Sequence, residues 1–183
     1  MRLTLILAFM TTLLPPFARG TDEAYALTAP GQMEVKTLPA ARLLRATSGQ
    51  DYFAADNGLF MKLFRYIDKN NISMTAPVEA QVATGAMVFY LGKEAAARAD
   101  LAPTPQVDFV QREERQVAAI GVRGSYSREN YDEALGKLRA WLLSRPEAKI
   151  IGEPYAVYWN SPFVPFFLKK SEVHLPVQLL PAK

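Results

Sequence analysis

Phe64-Arg-Tyr-Ile-Asp-Lys-Asn-Asn-Ile-Ser-Met-Thr-Ala-Pro-Val78 is the stretch whose reading decides the fold. It reads as a helix end, a pair of asparagines that stops it, and a strand broken by a small-residue-proline step. Upstream, Phe53, Phe60, Phe64 and Ile67 share one stripe at helical spacing, with Leu59 and Leu63 beside them. Lys62, Arg65 and Asp68 face the other way, so a helix is predicted over about 51–68. Asn70-Asn71 ends it, because asparagine tolerates the left-handed cap conformation. Strands are expected at 72–78 and, after a turn at Thr84-Gly85, at 86–91.

Working outward, Met33-Glu-Val-Lys-Thr-Leu38 alternates apolar and polar residues as a half-buried strand does, and 41–47 continues extended after Pro39. Residues 93–100 read as one or two helical turns, and 107–111 and 116–126 as strands. A second helix is expected after Ser127, a capping residue followed by Glu129, Asp132 and Glu133 near the positive helix end. Tyr131, Leu135, Leu138 and Leu142 form its buried stripe, with Trp141 adjacent, and Pro146 stops it. Strands at 155–159 and 172–177 close the chain. Strand, helix, strand, strand thus occurs twice, and Asn160-Ser161-Pro162 repeats the punctuation of Thr75-Ala76-Pro77. A duplicated βαββ unit follows: an α+β domain with one antiparallel sheet, two long helices on one face and a cleft on the other.

Three stretches resemble the SOUL haem-binding protein family. Phe64–Val78 resembles the family's helix end and Met-Thr-Ala-Pro-Val strand. Trp159-Asn-Ser-Pro-Phe163 is similar to its Tyr-Asn-Ser/Pro-Pro-aromatic turn. Phe167-Leu-Lys-Lys-Ser-Glu-Val-His-Leu-Pro-Val177 is similar to its basic, Asn-Glu-Val-Trp and apolar C-terminal signature. The resemblance spans about 25–177. It implies a distorted barrel-like sheet, binding of haem or another tetrapyrrole, and no catalytic activity. Related domains bind other lipophilic or cationic small molecules, which is the alternative reading.

Alternation in the last strand puts Val173, Leu175 and Val177 on the helix side and Glu172, His174 and Pro176 on the other. His174 is the single histidine, either a half-exposed strand residue where the family has Trp or the one histidine able to ligate haem iron. The resemblance places a proposed iron-binding histidine of one family branch at Thr37, and a basic helix residue at Asn57. Glu172 matches the family's glutamate, either as partner for a cationic ligand or bonded to the 159–163 turn. Arg65 matches a basic residue that would meet haem propionates, and Lys62, Lys169 and Lys170 are looser candidates. Met74 is a thioether candidate or a space-filler. Tyr155, Tyr158, Trp159, Phe163, Phe166 and Phe167 form an aromatic cluster dense enough to line a groove for a planar ligand, and the loop 160–168 is expected to expose an apolar patch.

Arg2 followed by the apolar run 3–14, Pro15-Pro16 and Ala18-Arg19-Gly20 has the order of a secretory signal. The run is shorter than the roughly 20 residues a membrane span needs. Cleavage is expected after Gly20, with Ala24-Tyr25-Ala26 a second candidate, leaving one domain over 21–183 in the periplasm or outside the cell. Residues 1–20 carry Arg2 and Arg19 and no acid, so 19 basic and 18 acidic side chains remain. That balance shows no basic face for nucleic acid. The absence of cysteine excludes disulfides, thiolate ligation and covalent c-type haem. No Ser/His/Asp set or phosphate-cradling glycine loop points to an enzyme.

Overall fold

The computed structural model describes residues 22–54, 58–161 and 163–180. The expected signal, Asn57 and Pro162 lie outside them. The elements are β1 (Asp22–Glu23), β2 (Met33–Leu38), β3 (Ala41–Thr47), α1 (Leu59–Lys69), β4 (Thr75–Ala76), β5 (Val78–Gln81), β6 (Ala86–Tyr90) and α2 (Lys93–Ala96). They continue with β7 (Asp108–Arg112), β8 (Arg115–Arg123), α3 (Arg128–Leu143), β9 (Ala148–Ile150), β10 (Tyr155–Tyr158) and β11 (Lys170–Leu179).

The main sheet is antiparallel and curls into a half-barrel, with the strand path β2-β8-β11-β10-β5-β6-β3-β7 and β9 pairing with β11. The duplication is visible in this path. β3-α1-β5-β6 and β8-α3-β10-β11 are two βαββ units, each ordered first strand, last strand, second strand in space. They join where β5 pairs with β10, with Val157 opposite Glu79. β2 precedes β3 in the chain yet pairs with β8, and β7 precedes β8 yet pairs with β3. Each unit therefore carries the other's edge strand.

Both long helices pack on one face of the sheet. Leu59, Leu63, Tyr66 and Ile67 of α1 share a core with Tyr131, Ala134, Leu138 and Leu142 of α3. Val173, Leu175 and Val177 of β11 face this core, as the alternation requires. Each such aliphatic side chain contributes roughly 1.5–3 kcal/mol of burial.

α3 begins where predicted, with Ser127 Oγ accepting the Asn130 backbone N–H. α1 starts later than predicted, at Leu59. Asp51 Oδ1 accepts the Phe53 N–H in a local turn and also binds Arg128, and Gly58 holds φ 59°. A helix cannot run through that left-handed residue. The buried stripe is consequently rotated, leaving Phe60 and Phe64 stacked on each other at its margin. Asn71 takes the left-handed conformation expected of the helix stop, at φ 52°. The predicted strand over 72–78 is shorter and split: β4 and β5 flank Pro77, which follows a cis peptide bond.

Candidate functional site

Opposite the helices, the curled sheet carries a buried polar network where an open cleft was expected. Glu172 of β11 is 0% exposed and accepts four hydrogen bonds. The donors are the Thr28 backbone N–H (3.1 Å), Lys36 Nζ (2.6 Å), Trp159 Nε1 (2.7 Å) and His174 Nε2 (2.7 Å). Burial pushes the Glu172 carboxyl upward, but the His174 and Lys36 hydrogen bonds and charges outweigh it and bring it to about 2. His174 is driven downward by burial, more than its carboxylate neighbour raises it. A neutral imidazole then donates from Nε2 to Glu172 and accepts at Nδ1 from the Tyr155 hydroxyl, 3.1 Å away.

Tyr155 continues the chain of bonds by accepting from Arg115 Nη2 at 3.1 Å. Arg115 and Arg112 both bind Glu79 of β5, which also accepts from the Tyr90 hydroxyl. Burial raises the Glu79 carboxyl, and the two guanidiniums overcome this and hold it below its usual range. Two buried carboxylates, one from each half of the sheet, are thus connected through His174, Tyr155 and Arg115.

The N-terminal segment covers this network. β1 pairs with β4, Ala24 N–H donates to Ala76 O, and Pro30 bridges to Gly121 of β8. Tyr25 lies among Tyr90, Trp159 and His174 at ring-centroid distances of 5.6, 5.7 and 6.1 Å. Lys36 sits over its ring and donates to Ala26 O. Gly121 is required here: a Cβ would stand 2.2 Å from Ala29 O.

His174 is therefore fully buried, which corrects the half-exposed expectation. The strand faces concavely, and its outer layer is the chain's own residues 22–30. Both ring nitrogens are engaged, so this conformation presents neither to an iron. Glu172 makes the expected bond to the 159–163 turn, through Trp159 Nε1. Its charge is met by Lys36. Met74 packs on the helix-side core, across the sheet from His174. Arg65 is on the exposed side of α1. The structure brings together Glu172, His174 and Trp159 and separates them from Arg65, Met74 and Phe163.

The loop after β10 carries the expected apolar patch: Phe163, Phe166, Phe167 and Leu168 are 95, 65, 56 and 47% exposed. Lys169 follows it, its ammonium over the Tyr126 ring. Sequence reasoning missed Glu79, Arg112, Arg115, Lys36 and Tyr25, and placed Tyr155 only as a member of the aromatic cluster. One signal was present: Glu79 is the lone charge between Val78 and Ala80, in a strand that lies centrally in the sheet.

These elements define a class: two βαββ units forming a half-barrel, with a polar, internally bonded concave side. The chain belongs to the SOUL heme-binding protein family, whose match covers residues 22–176. This is generally a family of binding rather than catalytic proteins. No curated protein sequence matches the chain. Among solved structures, it is similar to the C-terminal domain of EcmrR, with 12% identity, a TM-score of 0.63, and coverage of 81% of this chain and 98% of that one. A hydrolase from Listeria innocua is similar at 13% identity and a TM-score of 0.56, covering 82% and 94%. These likenesses concern the fold. No helix among the described residues is long and apolar enough to cross a membrane.

Proposed function

We propose that the protein binds haem or a related tetrapyrrole non-covalently and without catalysis, as one domain over 21–183 released outside the cytoplasm. Membership of the SOUL heme-binding protein family carries the reading. The exposed side chains of Phe163, Phe166, Phe167 and Leu168 offer a flat macrocycle apolar contact, and Lys169 and Lys170 offer charge for propionates. An apolar patch of this kind marks a ligand or partner surface. The buried, doubly bonded His174 supports binding without an axial histidine. Cleavage after Gly20 suits the packing of residues 22–30, the strap over the network, since a cut after Ala26 would remove β1 and Tyr25.

The test is titration with hemin and with iron-free protoporphyrin, followed by absorbance and fluorescence quenching. Both should saturate with similar affinity, and a Phe166→Ser/Phe167→Ser double variant should weaken both by about tenfold or more. Saturable binding of neither ligand would refute the proposal.

A further inference from the structure

A cavity of about 300 Å³ opens at the start of β10, the end away from the Phe163–Leu168 loop. Its volume is at the lower end of the range of roughly 300–1,000 Å³ typical of small-molecule sites. Glu79, Arg112, Arg115 and Tyr155 form its polar side, and Val82, Pro154 and Pro176 give it apolar walls. The charges do not balance. Arg112 and Arg115 share the single carboxylate of Glu79, at 2.5 and 2.8 Å, and no other acid among the described residues forms an ion pair with either. Within this buried cluster one positive charge is left over; the other acid on the lining, Glu153, is exposed to solvent and pairs with neither arginine. Hydrogen-bonding capacity is left over too, because Arg115 Nη1 is buried without a partner among the described residues.

We propose that this cavity is a binding site for a small organic monocarboxylate, whose carboxylate takes the surplus guanidinium charge while its apolar body contacts Val82, Pro154 and Pro176. Arginine suits this role because its planar fork matches a carboxylate with two parallel bonds. Glu79 limits the charge the site accepts: one anion neutralises the three-residue cluster, and a second negative charge would face Glu79 uncompensated. Glu153, exposed on the rim, adds to that bias against dianions. The site thus selects a monoanion with an apolar body over inorganic phosphate. Tyr155 joins it to His174 and Glu172 through the bonds described above, so an occupant would also bear on the concave network.

Benzoate is a suitable probe, followed by ¹H–¹⁵N chemical shifts of the intact mature chain with isothermal titration in parallel. Saturable shifts are expected at Val82, Thr84 and Glu153, with none from benzyl alcohol and weaker ones from phosphate. Arg112→Gln, on an edge strand, should weaken benzoate at least tenfold with an unchanged far-UV CD spectrum. Glu153→Gln, an exposed change that leaves the fold alone, should tighten it about threefold. Hemin binding should be the same with and without saturating benzoate, which separates this site from the porphyrin surface. Equal shifts from phosphate and benzoate, or Arg112→Gln and Glu153→Gln both leaving benzoate affinity unchanged, would overturn the proposal.

Discussion

Glu172→Gln isolates the contribution of the concave network to stability. The change keeps the shape and removes the charge. Lys36, whose ammonium is 2.6 Å from Oε2 and 13% exposed, then lacks its anion. An amide NH₂ at that position also meets the His174 Nε2–H, donor against donor. Removing one partner of a buried pair costs roughly 3–5 kcal/mol. Linkage gives a similar figure. The carboxyl moves from its usual 4.5 to about 2 on folding, and at 1.36 kcal/mol per pH unit this is about 3 kcal/mol. The sign follows from proton binding. Between pH 4.5 and 2 the unfolded chain holds a proton that folded Glu172 refuses, so the contribution is complete above pH 4.5 and fades towards pH 2. Urea unfolding at pH 7 should therefore show a loss of about 3 kcal/mol, or a midpoint shift of about 1.5 M for a slope of ~2 kcal/mol/M. The gap between the two proteins should close as pH falls from 4.5 to 2. A gap below 1 kcal/mol at pH 7, or one constant from pH 7 to 3, would refute the reasoning.

Gly121→Ala should destabilise by about 1–3 kcal/mol through overpacking against Ala29 O, and limited proteolysis should then cut within 22–30 faster than in wild type. His174→Ala should leave the Soret maximum of the hemin complex unchanged while lowering the melting temperature, because the ring is bonded to Glu172 and Tyr155. Wild-type stability should begin to fall below about pH 6.5, the usual histidine value, since burial lowers His174 and the unfolded chain takes up the proton first; thermal melts from pH 8 to 5 read this directly. The proposed export is read by expressing the full-length chain in a bacterium and weighing the product of the periplasmic and medium fractions: its mass should correspond to a start at Thr21, and a full-length mass confined to the cytoplasm would refute it.

Period and punctuation made the duplicated order legible. The alternation Glu172-Val173-His174-Leu175 assigned each side chain to its face correctly, because a strand's period of 2 leaves no third choice. The stripe on α3 was legible for the same reason, with a capping serine to fix its start. The start of α1 was not, since Phe53 sits at helical spacing while Gly58 and the Asp51 turn exclude a helix there. Pairing across the halves was also hidden. Nothing local to Met33–Leu38 indicates that it pairs with β8, some 80 residues on, and nowhere with its neighbour β3. The burial of His174 depended on the segment 22–30, which has no periodicity of its own and is held through Glu172, Gly121 and β4.

The strap also alters what the family's glutamate can do in this chain. A carboxylate on the concave side of an open sheet would attract a cation from solution. Here Lys36 and the Thr28 N–H reach it from β2 and the strap, and Trp159 and His174 hold its other faces. The charge therefore serves to close the sheet around the chain's own N-terminal segment. In the proposed reading, ligand binding is left to surfaces outside that seal: the aromatic loop beyond one end of β10, and the arginine-lined cavity at the other. The two differ in chemistry, one broad and apolar with lysines at its edge, the other small and cationic, so they suit different ligands. Tyr155, on the lining of the cavity, begins β10, and Trp159, at the start of the aromatic loop, directly follows its last residue; both bond into the Glu172–His174 network, Tyr155 to His174 and Trp159 to Glu172.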